Sequence, residues 1–168
     1  MLFLWLNFTL QRVTLTDMDS EVIRNTAADS KTAYMLTREL MAHHNALSIF
    51  TTTEDRLKEL IDSGMLLSYT LYCDGKPSGI MNFFFKLTTF TGRKILYIED
   101  LYVREEYRGK GLGKVLLNKA REIAKDTDCE QIELKCADWN KASAEFYKAQ
   151  GMKNENEWIT FTLDKTLF

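Results

Sequence analysis

Two adjacent carboxylates interrupt an apolar run: Glu99 and Asp100 stand between Ile95-Leu96-Tyr97-Ile98 and Leu101-Tyr102-Val103. A buried carboxylate is costly unless it is paired. In such a run it reads either as a salt-bridged structural acid or as a proton acceptor or cation anchor. Shortly after comes Arg108-Gly109-Lys110-Gly111-Leu112-Gly113. Glycines at these positions let the backbone approach a ligand closely. Free N–H groups at a helix start, with the positive end of its dipole, form an anion site. Arg108 and Lys110 add charge. A third group lies further on, where Asn140, Ser143 and Tyr147 fall on one face of a helix. A phenol there is a hydrogen-bond donor, a weak acid, or a core aromatic beside Phe146.

Two common phosphate loops are excluded by spacing. A P-loop needs a glycine five residues before the Gly113-Lys114 pair, where Arg108 stands, and a Ser or Thr where Val115 stands. A dinucleotide fingerprint needs Gly-x-Gly-x-x-Gly, whereas the glycines here fall at 109, 111 and 113.

The elements that must carry these residues follow from periodicity. Glu21–Asn25 reads as a strand. Asp29 or Ser30 caps a helix with Ala33, Leu36, Leu40 and Leu47 at helical spacing, and His43-His44 near its end. Thr53 opens a second helix (Leu57, Leu60, Ile61) that ends at Gly64. Leu66–Cys73, Ile80–Leu87 and Lys94–Val103 form an antiparallel meander, its first turn at Asp74-Gly75-Lys76-Pro77. Leu112–Lys125 is an amphipathic helix, Gln131–Cys136 a strand, Asn140 to Gly151 a capped helix and Trp158–Leu163 a last strand. Strand alternation sends Glu99 and Asp100 to opposite faces, both buried in a central strand. The order predicts a mixed α/β (α+β) domain with a twisted, mostly antiparallel sheet flanked by helices. Residues 1–17 read as an extension or an extra strand, and 18–168 as the domain.

The 168 residues suffice for one domain with a full core. With 24 acidic and 22 basic side chains, the formal charge of −2 argues against a nucleic-acid partner held by phosphate neutralisation. Met1–Leu6 is too short to span a bilayer and lacks the charged opening and cleavage site of a secretory signal, so a weak targeting role stands only as an alternative to an extension or extra strand, and no membrane partner is expected. Cys73, Cys129 and Cys136 are odd in number and read as reduced thiols, Cys73 and Cys136 in apolar strands, which favours the cytoplasm. His43 and His44 lie far in sequence from every cysteine, so no zinc spacing exists and no metal is expected.

The Arg-x-x-Gly-x-Gly spacing (Arg108, Gly111, Gly113) resembles the acetyl-CoA loop of the GNAT N-acetyltransferase superfamily. Leu96-Tyr97-Ile98-Glu99-Asp100-Leu101-Tyr102-Val103, Ala137-Asp138-Trp139-Asn140 and Phe146-Tyr147-Lys148 with Gly151 are similar to the spermidine/spermine and thialysine (diamine) N-acetyltransferases. The resemblance runs from about Glu21 to the C-terminus. It implies a GNAT-type fold, splayed where the third meander strand meets the next, parallel strand, with acetyl-CoA as co-substrate in the splay. Leu101, Tyr102 and Val103 would hold the pantetheine arm through their backbone. Arg108, Gly109, Lys110, Gly111, Leu112 and Gly113 would cradle the pyrophosphate. Asn140 and Ser143 would contact the cofactor, and Tyr147 would sit beside the thioester sulfur. A homodimer is implied too.

The implied reaction is direct acetyl transfer to a small amine. A primary amine has a pKa near ~10.4, so about one molecule in 2,500 is neutral at pH 7. A carboxylate, directly or through water, can take its proton and anchor the ammonium beforehand. Glu99 is assigned this role, with Asp100 as the alternative. Tyr147 would act as a hydrogen-bond donor to the leaving thiolate, and as an acid only if its pKa is lowered. His44, Glu133 and Glu157 could line the amine site, although each also reads as a surface or helix-end charge. Polyamine enzymes tend to carry acids where this chain has Ala42-His43-His44-Asn45-Ala46, a departure that favours a shorter amine. Two alternatives stand beside this reading: a protein lysine or N-terminal acetyltransferase, and a catalytically silent acyl-CoA-binding module.

Overall fold

The computed structural model describes residues 13–15, 18–155 and 159–167. The chain resolves into two compact units, the first reaching to Lys135 and the second starting at Cys136. The first unit holds a six-stranded sheet, β1 (Val13–Leu15), β2 (Met18–Arg24), β3 (Leu67–Cys73), β4 (Lys76–Leu87), β5 (Lys94–Val103) and β6 (Cys129–Leu134), paired in chain order. Every pairing is antiparallel except β5 with β6. Part of the amino-terminal extension is thus an edge strand, and the expected mixed sheet is observed.

Helices α1 (Ser30–His43) and α2 (Glu54–Asp62) join β2 to β3, and α3 (Leu112–Asp126) joins β5 to β6. Ala33 and Leu36 of α1, Leu57 and Ile61 of α2 and Ile80 of β4 form one buried cluster, with Tyr34, Leu66 and Tyr102 packed against it. Burial of each large side chain contributes roughly 1.5–3 kcal/mol. Leu112, Leu116, Leu117, Ala120 and Ile123 bury the apolar stripe of α3, which packs on β5 and β6.

Capping is as expected at α2, where Thr53 Oγ1 accepts the Arg56 N–H at 3.1 Å. At α1 the expected cap is corrected: Asp29 is the N-cap residue but makes no side-chain bond into the helix, its Oδ2 accepting the Thr26 N–H at 2.8 Å instead. Helix α1 stops earlier than its apolar spacing suggests. Asn45 takes φ 54°, and the Asn45 and Ala46 N–H groups donate to the Ala42 and Met41 carbonyls. Leu47 therefore lies outside the helix and is exposed. The β3–β4 turn is tighter than expected: Cys73 pairs with Lys76 around Asp74 and Gly75, both at positive φ, and Pro77 belongs to β4.

The second unit holds α4 (Lys141–Ala149), capped by Asn140 Oδ1 accepting the Ser143 N–H at 3.1 Å. The expected strand at Trp158–Leu163 is corrected. Trp158 lies outside the described residues, and 159–163 have no regular secondary structure. Ile159, Phe161 and Leu163 alternate as a strand would, yet all three are exposed. Alternation marks which side chains would share a face; a strand also needs an edge to pair with. Cys136 likewise lies beyond β6, which ends at Leu134. All three cysteines are free thiols.

Candidate active site

Strand β5 is the centre of the site in the first unit. Its pairing with β6 stops at Ile98↔Leu134, while β5 runs on to Val103. Among the described residues no strand pairs with that far edge of 99–103. This is the expected splay. The Tyr102 carbonyl faces β4: a Cβ built on Gly79 would meet it at 2.5 Å. The Arg104 N–H also turns to β4, donating to the Ser78 carbonyl at 2.9 Å. By alternation, Leu101 and Val103 turn their peptide groups to the open edge. Of the three residues, Leu101 and Val103 thus face that edge, where Arg108 already uses the Val103 carbonyl, and Tyr102 faces β4.

The glycine loop follows directly. Gly109 and Gly111 adopt φ 74° and 80°, left-handed values that favour glycine, and Gly111 is the N-cap of α3. Arg108, Gly109, Lys110 and Gly111 are exposed, whereas Leu112 is buried and anchors the first turn. Lys114 and Val115 donate to the Gly111 carbonyl, so helical bonding begins only there. The amides before them form the helix's N-terminal anion-binding end. Arg108 does not simply point outward. Its Nε donates to the Val103 carbonyl at 2.9 Å, and its guanidinium lies 5.7 Å from the centre of the Tyr102 ring. Lys110 Nζ donates to the Glu106 carbonyl. The open edge and exposed amides fit an extended arm that ends in phosphate.

The two carboxylates separate in a way alternation did not anticipate. Asn82 pairs with Asp100 but Phe83 pairs with Ile98, so Glu99 is an extra residue, a β-bulge. The bulge turns Glu99 out to solvent, which corrects the expectation that both acids are buried. Asp100 is mostly enclosed. Asn82 Nδ2 donates to Asp100 Oδ2 at 2.8 Å and to Thr37 Oγ1 at 3.0 Å. Burial pushes the Asp100 carboxyl up to about 6; the Asn82 hydrogen bond opposes this and the Glu99 charge adds to it.

Other expected residues are placed as follows. His44 is the C-cap of α1, and desolvation, then His43, lowers its pKa. His43, rather than His44, lies beside Tyr102, ring centres 6.5 Å apart. Glu133 is engaged by an ion pair with Lys86 and by the Gln131 amide at 2.7 Å. Glu157 lies outside the described residues. In the second unit, Asn140 Oδ1 is taken up by capping, Ser143 follows on the same face and Tyr147 comes one turn later. Tyr147 is pushed up to about 12 by burial and, secondarily, by the Cys136 thiol.

Sequence reasoning missed Gly79, Asn82 and Thr37. For Asn82 a signal existed: it is a lone amide in the otherwise apolar stretch Ile80–Phe85. Nothing in the sequence marks Thr37.

An open strand edge that leads into a glycine-rich helix start is an arrangement able to receive a strand-like, phosphate-bearing arm. Residues 33–152 match the acetyltransferase (GNAT) family, and the chain belongs to it. It is 36% identical over 107 residues to thialysine N-epsilon-acetyltransferase of Sus scrofa, 59% of this chain and 62% of that one. The match therefore spans less than two thirds of that relative. Over 166 residues it is 30% identical to spermidine/spermine N(1)-acetyltransferase-like protein 1 of Homo sapiens, covering 89% of this chain and 23% of that protein. Among solved structures, an aminoglycoside acetyltransferase from an uncultured soil metagenomic sample shares the fold, with a TM-score of 0.76 at 16% identity, covering 86% of this chain and 95% of that one.

Proposed function

We propose that this protein moves acetyl from acetyl-CoA directly to the nitrogen of a small amine, a diamine, polyamine or thialysine-like amino acid. The observation that carries the reading is the unpaired edge of β5 running into the loop 108–113. Acetyl-CoA supplies an activated acyl carbon as a thioester. The Leu101 and Val103 peptide groups would hold its pantetheine arm as an added strand. The loop amides, with Lys110, would hold the pyrophosphate, and Arg108 would brace the loop against Val103. Asn140 and Ser143 would contact the cofactor from α4.

The amine nitrogen forms a bond to the acyl carbon, the carbon–sulfur bond breaks and sulfur leaves with the electron pair. Before the attack the ammonium gives one proton to the Glu99/Asp100 pair, Glu99 being exposed to an incoming cation and the Asp100 carboxyl being raised to about 6; after it the second nitrogen proton passes through solvent to the departing sulfur, so that amide and free thiol result. Tyr147 would donate a hydrogen bond to the leaving sulfur. With its pKa at about 12, full proton transfer to a thiolate near ~8.5 is uphill by roughly 5 kcal/mol, so it serves as donor rather than acid. The names of the relatives support a small amine, and the acid-free stretch Ala42–Ala46 favours a short one. A cytoplasmic homodimer, with 18–168 as the acetyltransferase domain, completes the proposal.

The test is a panel of diamines, polyamines, thialysine and lysine peptides with acetyl-CoA, read by release of free thiol. Turnover of the free amines over the peptides is expected. Preference for the peptides would shift the substrate to protein. Cofactor binding without amine-dependent thiol release would make the chain a silent binding module.

A further inference from the structure

We infer that Asn82 is a positioning residue for proton removal, its amide holding the Asp100 carboxylate in the ionised, proton-accepting form. This rests on the acetyl-transfer reading above. Asn82 is 1% exposed, in the middle of β4, directly across from Asp100 in β5. Its amide nitrogen gives both protons away, to Asp100 Oδ2 at 2.8 Å and to Thr37 Oγ1 at 3.0 Å. Its own oxygen is buried with no partner. A buried carbonyl left without a donor destabilises the fold and is uncommon in an interior built only for stability. The amide is thus held in the one orientation that aims a donor at the carboxylate. Thr37, on α1, is the far anchor that fixes it.

The charged surroundings leave this role to Asn82. Strand β4 presents Asn82 to Asp100, and α1 presents Thr37 beside it; both are neutral. The charge that acts on Asp100 is that of Glu99, its neighbour in β5, and it favours the protonated form. Glu39 and Arg104, the nearby charges of α1 and the end of β5, are engaged with each other at 2.6 and 2.7 Å. The Asn82 donor is therefore what opposes burial and the Glu99 charge. Without it, the carboxyl keeps its proton to higher pH, and near pH 6 a smaller fraction is ionised and able to take one from an ammonium.

The experiment compares wild type, Asn82→Leu and Asp100→Asn in two ways. Carboxyl NMR of 13C-aspartate-labelled protein without substrate follows Asp100, whose signal is assigned by its loss in Asp100→Asn. Separately, kcat/KM for the best amine is measured from pH 5 to 10. In Asn82→Leu the Asp100 midpoint should rise by about one unit. The acid limb of kcat/KM should move with it, so that activity falls about fivefold more at pH 6 than at pH 9. An unmoved Asp100 midpoint overturns the proposal, as does a midpoint that rises while the acid limb stays. Should Asn82→Leu fail to fold, Thr37→Val loosens the same amide from its far anchor and should shift both readouts in the same direction by less; no shift there counts against the proposal equally. If no amine is turned over, the proposed activity falls, and the NMR titration alone decides whether Asn82 sets the Asp100 carboxyl.

Discussion

At the residue scale, Asp100 is at odds with stability. A carboxyl with a midpoint of about 6 in the folded chain and about 3.9 unfolded binds more protons when folded. Its contribution is neutral below the unfolded value, and stability is lost as pH rises from about 4 to about 6, by up to about 3 kcal/mol. Asp100→Asn should therefore raise the neutral-pH melting temperature while lowering turnover; a variant that melts lower would show that Asp100 is a structural acid. Glu99→Gln should lower turnover at pH 7 far more than at pH 9 to 10, and an equal loss at both would remove Glu99 from proton transfer. The phenol of Tyr147 stays protonated to about pH 12, so the alkaline side of the pH–rate profile should show no limb from it below pH 10. Tyr147→Phe should cost less than the roughly 10²-fold or more expected of a general acid; a larger loss would restore the acid role. The residue types at 99, 100 and 147 are those from which the sequence predicts this chemistry. Which carboxyl is solvated and which enclosed was not announced, because a single extra residue in β5 decides it.

At the element scale, the site depends on β5 and the turn after it. Gly111 at φ 80° caps α3, and a β-branched residue there is strained. Gly111→Val should abolish coenzyme A binding in calorimetry while circular dichroism stays native; unchanged affinity would discredit the loop. The open edge is held in line from behind. Gly79→Ala would drive a Cβ to 2.5 Å from the Tyr102 carbonyl oxygen, a backbone atom of a paired strand that cannot swing aside. That should destabilise the fold by about 1–3 kcal/mol, read by denaturant unfolding, and weaken the cofactor. Most elements were legible because their signals are local. Lys94–Val103 matches β5 from end to end, α3 extends one residue beyond its expected end, and the Thr53 and Asn140 caps are where side-chain chemistry puts them. The expected strand at 158–163 had the right alternation, yet the described residues 159–163 take no regular secondary structure, and the first helix ran on in sequence past the point where Asn45 ends it.

At the scale of the whole molecule, the three thiols report on the fold directly. Cys73 is buried in β3, while Cys129 and Cys136 are partly exposed. Native protein should give two reactive thiols with an aromatic disulfide reagent and a third only after unfolding; three in the native state would contradict the burial of β3. The same count must be subtracted when product thiol is followed in the amine panel. Among the described residues no helix is long and apolar enough to cross a membrane.

By itself the sequence determined the mixed fold, the glycine loop at a helix start, the family and the short list of groups able to move a proton. These depend on residue type and near-neighbour spacing, which act through backbone dihedrals and one-turn periodicity. Only the tertiary structure decided that β5 outruns β6 and leaves an open edge, that a bulge parts Glu99 from Asp100, and that Asn82, anchored on Thr37, bonds the Asp100 carboxyl. Those outcomes depend on register between strands far apart in the chain and on burial, and neither is encoded in any short stretch of residues.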